Sequence, residues 1–336
     1  MTKNRFWRLD NHPEGDDFSS ALSLQETELA PLEDGEIRLK ADYLSMDAGT
    51  RMWMGPREDG YQPPLPMGIP MAGQALGRIV ESRDDRYPVG RLVRVFGQWA
   101  DYSTVRPDDA WAVLLDEDID DPRQHFGVLG LNGWTALYGT KDILGIKEGE
   151  DLVVSAAAGA TGSLACQIGR NLGAKVTGIA GGPDKCRFVV EELGAERCID
   201  YKNEDVAAEL KKIDGGIDGY FENVGGPILD AVLANMAMFG RIAVCGMIAN
   251  YQSDESVPGP KNYDQVLMRR LRIQGFLLPD VPERGPEYHA TLKDWLANGK
   301  ITLPFDVTKG LENTLVAYSR MMTGKNTGKV IVDLTD

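Results

Sequence analysis

Apolar positions fall into two textures along the chain. Up to residue 125 they come in short runs: Glu-Ile-Arg-Leu-Lys-Ala at 36–41, Gly-Gln-Ala-Leu-Gly-Arg-Ile-Val at 73–80 and Arg-Leu-Val-Arg-Val-Phe at 91–96. Proline and glycine clusters separate them, densest over 60–70. Such spacing predicts a compact, irregular barrel or sandwich. From Phe126 onward apolar strands alternate with helical stretches. Segments 151–155, 175–180, 197–200, 217–221, 241–245 and 271–277 read as strands, and 163–172 as a helix. Pro183 opens another helix, at the first position, where its missing N–H costs nothing. Strand–helix alternation of this kind predicts a doubly wound parallel sheet. The last segment, 311–336, reads as a helix and then a strand over 329–333 that returns to the first domain. The expected fold class is therefore α/β: a Rossmann domain over 126–304 and a β-barrel domain over 1–125, completed by 305–336.

Bulk properties narrow the partners. The formal net charge is -15. A chain so acidic repels phosphate backbones and anionic lipid, so neither nucleic acid nor a membrane is an expected partner. No apolar run approaches the roughly 18 residues that span a bilayer, and the first residues lack the apolar core of a signal peptide. Cys166, Cys186, Cys198 and Cys245 form no C-x-x-C pair, which fits free thiols in a reducing cytoplasm.

The sharpest local signal is Ala-Ala-Ala-Gly-Ala-Thr-Gly at 156–162, between an expected strand and an expected helix. Small residues there let the backbone approach a pyrophosphate, whose charge then sits at a helix N-terminus. The other reading is a tight strand-to-helix turn that binds something else. An NAD enzyme offers a carboxylate about 20 residues on, at the end of the second strand, for the ribose 2′-hydroxyl. Here that strand ends in Ile-Ala-Gly-Gly-Pro at 179–183 with no acid there; Asp184 lies beyond the turn, and Lys185 and Arg187 follow. A carboxylate would repel a 2′-phosphate, glycines leave it room, and a lysine neutralises it. These residues favour NADP(H). Lys185 also reads as a solvated first-turn helix residue.

The ordered series Val-Val-Ser-Ala-Ala-Ala-Gly-Ala-Thr-Gly-Ser at 153–163, Gly-Ile-Ala-Gly-Gly-Pro-Asp-Lys-Cys at 178–186, Asp-Tyr-Lys at 200–202, Phe-Glu-Asn-Val-Gly-Gly at 221–226 and Gly-Arg-Ile-Ala-Val-Cys-Gly-Met-Ile at 240–248 resembles the medium-chain dehydrogenase/reductase superfamily. Within it, the series is similar to the zinc-free branch of prostaglandin reductases, alkenal double-bond reductases and curcumin-reductase-like enzymes. Weaker similarity lies at 42–47, 130–137 and 326–329. The resemblance implies a GroES-like first domain and a homodimer. It places Gly159, Ala160, Thr161 and Gly162 at the pyrophosphate, and Lys185 and Tyr201 at the 2′-phosphate. Asn223 would line the cofactor groove. Cys245, Gly246, Met247, Ile248, Gly275, Phe276 and Leu277 would flank the nicotinamide half, and Asn326 would reach back to the cofactor. Tyr201 also reads as a half-buried strand-end aromatic, and Asn223 and Asn326 as turn formers. The chain departs from the family at Asp-Ala-Gly-Thr-Arg, 47–51, where proline and then tyrosine commonly follow the aspartate. A family aromatic that shapes the substrate pocket is thus missing. A serine common after the fifth strand is replaced by Ala249.

Zinc alcohol dehydrogenases share this architecture, but a catalytic zinc needs Cys or His ligands, largely from the first domain. That domain has no cysteine and only His12 and His125, and with His289 these show no metal spacing. No metal is expected. Without a Lewis acid a conjugated acceptor suits hydride transfer best: hydride adds to the β-carbon of an enal or enone, and charge spreads to the carbonyl oxygen. Tyr251, just past the fifth strand, is the candidate donor to that oxygen, the other reading being a tyrosine packed on the cleft wall. The expected function is NADPH-dependent reduction of the C=C bond of a small α,β-unsaturated carbonyl compound. A quinone reductase and a non-catalytic NADPH-binding regulator are the alternatives. Trp53, Trp99, Trp134 and Tyr61 line an aromatic pocket or fill the core, the core being favoured for most.

Overall fold

The computed structural model describes residues 2–251 and 258–335; Met1, residues 252–257 and Asp336, which fall within the expected domain spans, lie outside the described residues. The first part of the chain forms β1 (Lys3–Leu9), β2 (Leu22–Glu28), β3 (Ile37–Ser45), β4 (Ala72–Ser82), β5 (Leu92–Gln98), β6 (Tyr102–Val105) and β7 (Val113–Leu114). The middle forms β8 (Asp151–Ser155), β9 (Lys175–Ala180), β10 (Arg197–Asp200), β11 (Ile217–Glu222), β12 (Met236–Val244) and β13 (Arg272–Gly275), and the end forms β14 (Phe305–Lys309) and β15 (Lys329–Asp333).

Among the described residues, β14-β15-β3-β4-β5-β7 make one sheet, with β6 also paired to β3. It is antiparallel from β15 onward, while β14 runs parallel to β15. Alternation dictates which face is buried: Ile37, Leu39 and Ala41 of β3 enter one core with Ile79, Val93, Val95, Trp99 and Tyr318. The terminal strand joins this sheet, with Ile331 opposite Ser45 and Asp333 opposite Tyr43. The expected strand over 329–333 does return to the first domain.

The second sheet is parallel, in the order β10-β9-β8-β11-β12-β13. In chain order that is 3-2-1-4-5-6, the doubly wound arrangement in which direction reverses between the first and fourth strands. The C-terminal ends of β8 and β11 therefore part at a crevice. The strands that flank it are buried on both faces, as a parallel sheet covered by helices requires: Leu152, Val153 and Val154 of β8 and Tyr220 and Phe221 of β11 are fully buried. Helices Ala160–Asn171 and Pro183–Glu191 follow β8 and β9. β12 begins at Met236, ahead of the expected 241, because the chain already pairs with Ile217 there. No helix among the described residues is long and apolar enough to cross a membrane.

Candidate active site

The turn after β8 is built for close approach. Ala156 sits at φ 49, a strained left-handed conformation for a residue with a Cβ. Its carbonyl oxygen would lie 2.3 Å from a Cβ placed on Gly162 and accepts the Gly159 N–H at 2.9 Å. Gly162 therefore has to be glycine. Helix Ala160–Asn171 starts there, and the N–H groups of its first turn have no intrahelical acceptor. The Thr161 hydroxyl is held by Asn132 Nδ2 at 3.0 Å. On the other side the C-terminal segment docks against this turn, Gly328 N–H donating to the Ala158 carbonyl at 2.8 Å.

At the tip of β9, Gly181 and Gly182 stand where a carboxylate would face the ribose. The Tyr201 ring lies against Gly181, so that a Cβ there would meet it at 2.8–2.9 Å, and the ring remains 46% exposed. Lys185 Nζ donates to the Gly324 carbonyl at 3.0 Å. Its pKa is lowered, first by burial and then by the neighbouring Lys202 charge, against the pull of Asp306. Two ammonium groups thus converge beside Tyr201 and the glycines. Lys202 escaped the sequence reading, although it stands in the Asp-Tyr-Lys run at 200–202. One acid does reach this turn. The Asp200 carboxylate accepts the Gly182 and Lys202 N–H groups at 2.7 and 3.1 Å, and it also accepts Asn203 Nδ2. Those donors consume its oxygens, so Asp200 fixes the turn that presents Tyr201 and Lys202.

The crevice between β8 and β11 is closed underneath by polar contacts. Asn223 donates its Nδ2 to the Ser155 carbonyl at 2.7 Å, and its N–H to the Ser155 hydroxyl at 2.8 Å. Glu222 is wholly buried. Its Oε1 accepts from Tyr220 Oη (2.9 Å), Ser155 Oγ (3.1 Å), Val224 N–H (2.7 Å) and Gly225 N–H (3.0 Å). Its Oε2 has no partner among the described residues. Burial raises the Glu222 pKa, against these donors. Glu222 was not singled out from sequence, since a lone acid at a strand end gives no signal of its own.

The loop after β12 carries Cys245, Gly246, Met247, Ile248 and Tyr251. Cys245 and Gly246 donate their N–H groups to the Glu222 carbonyl at 2.9 and 3.1 Å. Burial pushes the Cys245 thiol up to about 12, so it is neutral. Ile248 and Tyr251 pack against the core of the first domain, so this loop crosses the interdomain cleft. The Tyr251 hydroxyl accepts the Met247 N–H at 3.1 Å and hangs over Gly246, 2.8 Å from where a Cβ would stand. Burial pushes its pKa up to about 12, with Cys245, Tyr61 and Glu222 adding to the rise.

Other expected site residues are placed differently. Phe276 turns into the core of the parallel sheet, edge-on to Tyr138 and Phe221 at 5.4 and 6.1 Å, so its ring points away from the crevice. Asn326 is buried and spends its Nδ2 on the Gly328 carbonyl at 3.0 Å, shaping the docked segment. Trp99 is buried in the barrel core, Trp53 and Trp134 are half-buried, and Tyr61 is 54% exposed. Each histidine has a local polar partner: His12 the Met54 carbonyl, His125 the Asp116 carbonyl, His289 the Asp116 carboxylate. No group of three His, Cys, Asp or Glu residues among the described ones is placed to hold a metal ion.

Comparison with known proteins places this geometry in context. Residues 5–113 match a model described as the N-terminal domain of oxidoreductase, and residues 160–294 one described as zinc-binding dehydrogenase. The chain is 38% identical to the NADPH-dependent curcumin reductase of Escherichia coli K12, covering 98% of this chain and 96% of that protein. It is 36% identical to the NADP+-dependent 2-alkenal reductase of Nicotiana tabacum, covering 90% and 88%. The structure of CurA from Vibrio vulnificus in complex with NADPH superposes with a TM-score of 0.92 at 35% identity, covering 99% of each chain.

Proposed function

The chain belongs to the medium-chain dehydrogenase/reductase superfamily, in the zinc-independent branch that holds the curcumin, alkenal and prostaglandin reductases, and on that premise we propose that it uses NADPH to reduce the C=C bond of α,β-unsaturated aldehydes and ketones. The observation that carries the reading is the tip of β9: two glycines, Asp200 spent on backbone donors, Asp184 paired with Arg187, and Lys185 and Lys202 beside an exposed Tyr201. That cradle fits a 2′-phosphate. The strained turn at Ala156 and the side-chain-free Gly162 fit a pyrophosphate over the helix start.

Bound NADPH supplies the hydride. The protein's part is to seat the acceptor in the cleft and to meet the charge that grows on its carbonyl oxygen. Tyr251 suits that task. Its oxygen is anchored by the Met247 N–H, which leaves its own proton to donate, and a pKa near 12 keeps it protonated at neutral pH. It is a hydrogen-bond donor rather than a base. The neutral Cys245 beside it adds no competing charge. The buried ladder from Glu222 to Ser155 and Asn223 holds the crevice floor at fixed height.

In this reading the enzyme works in the cytoplasm as a homodimer. Among the described residues β13 is one of the two edges of its sheet, with Ile273 40% exposed and Phe239, Leu267 and Met268 between 57% and 73% exposed nearby, an apolar edge that suits a second copy. The test of function is NADPH consumption over a panel of enals, enones, dienones and quinones. Oxidation with enals or enones, giving the saturated carbonyl compound, is the expected result. Turnover of quinones alone, or of nothing, contradicts it.

A further inference from the structure

The backbone does not require a glycine at position 49. Its φ of -59 and ψ of -26 suit any residue. Space explains it: a Cβ on Gly49 would lie 2.9 Å from the Tyr61 hydroxyl oxygen. The phenol of a residue twelve positions further on therefore fills the volume that a side chain at 49 would need.

Several contacts fix that phenol in place. The segment carrying Tyr61 is tied to the short helix Thr50–Trp53 by the Leu65 N–H, which donates to the Trp53 carbonyl at 2.8 Å. Trp53 itself packs edge-on against Phe96 at 5.4 Å. Its indole N–H is buried, meets no acceptor at strict hydrogen-bond geometry among the described residues, and faces the Tyr61 hydroxyl closely enough to act on it. The hydroxyl end is shielded, and burial raises its pKa, with Trp53 opposing the rise and Asp47 and Cys245 adding to it. Tyr251 senses Tyr61 in turn. Both phenols lie within electrostatic reach of Cys245 and of each other. Tyr61 as a whole is 54% exposed, so the residue keeps open surface although its hydroxyl is desolvated.

We propose that Tyr61 is a specificity-determining residue of the acceptor site: its hydroxyl takes the place vacated at Gly49, and its exposed ring face is a platform for the flat conjugated tail of an aryl-substituted enone. A short alkenal reaches Tyr251 without covering that ring, so the two acceptor types respond differently to its loss. The inference rests on the enone-reductase reading above.

Benzylideneacetone and crotonaldehyde serve as the aryl and short acceptors. Tyr61→Ala is expected to raise KM for benzylideneacetone about tenfold, the scale of one lost aromatic contact. KM for crotonaldehyde and the affinity for NADPH, read by fluorescence titration, stay as in the wild type. Restoring an aromatic from the other position, in Gly49→Tyr/Tyr61→Ala, is expected to recover most of the loss. Equal KM changes for both acceptors, no change for either, or a parallel fall in NADPH affinity overturns the assignment. If the wild type oxidises NADPH with neither acceptor, the functional reading fails separately. Tyr61 is then judged by the saturated ketone benzylacetone, whose binding to the NADPH complex is followed by cofactor fluorescence. Binding weakened about tenfold by Tyr61→Ala supports the platform; unchanged binding, or none to the wild type, overturns it.

Discussion

The Lys185 ammonium stands on an acidic chain, and its local setting suits the phosphate contact proposed for it. Burial and Lys202 both depress its pKa, so a dianionic phosphate placed between the two lysines relieves a repulsion already present. Lys185→Ala should weaken NADPH binding by about 10- to 100-fold, the worth of one charge-assisted contact, and leave NADH binding nearly unchanged. Lys202→Ala should do the same more weakly, because Lys202 is exposed. Titration of each variant with both cofactors checks this. Tyr251→Phe removes the donor to the carbonyl oxygen and should cut kcat about 100-fold with NADPH affinity intact. Because burial places its pKa near 12, turnover should stay level through the ordinary tyrosine range and fall only in stronger alkali. At this scale the sequence was informative where a residue type has one use, as with the glycines at 159, 162, 181 and 182. It was silent on Asp200 and Glu222, whose roles come from burial and donors brought in from other strands.

The strand that ends the chain does more than complete a sheet. Lys329 of β15 is buried and donates to the Asp47 carboxylate at 2.6 Å and to the Met46 carbonyl at 2.9 Å, and the same Asp47 accepts the Ser45 hydroxyl at 2.5 Å. Just ahead of it, Gly328 docks on Ala158 in the turn at 156–162. The ion pair therefore braces the segment that backs the cofactor turn. Lys329→Met should cost about 2–3 kcal/mol, because it leaves a half-buried carboxylate its Ser45 hydroxyl donor but no cation. Burial pushes the Asp47 pKa up, but Lys329 and the hydroxyl donor outweigh it, so the folded value lies below the unfolded one. The stabilisation is then full above about pH 4 and is lost as the pH falls through the lower folded value. Asp47→Asn should melt earlier at neutral pH and lose less stability on acidification, which thermal melts across that range will read. β8, β9, β10 and β15 were legible to the residue, since each carries a short apolar stretch closed off by polar or turn residues. β1, β2 and β14 were not, because their exposed, charge-rich faces hide the alternation.

For the whole molecule, the cleft and its chemistry depend on two cores sharing one seam. Tyr251 leaves the parallel sheet and packs on the barrel, while β15 leaves the Rossmann side and enters the barrel sheet. Sequence texture revealed both halves, but not the seam, which is made by residues far apart in the chain. The edge at β13 carries its own prediction. Phe239→Glu/Met268→Glu should convert a dimer to a monomer in light scattering, with NADPH affinity kept; a wild type that is already monomeric contradicts the dimer. The reaction itself can be followed atom by atom. The purified protein would be given benzylideneacetone and NADPH deuterated at the reducing carbon of its nicotinamide, and the product examined by NMR. The account predicts benzylacetone with deuterium on the former β-carbon and the carbonyl intact. Deuterium on the carbonyl carbon of an allylic alcohol, or no transfer to the enone, would contradict it.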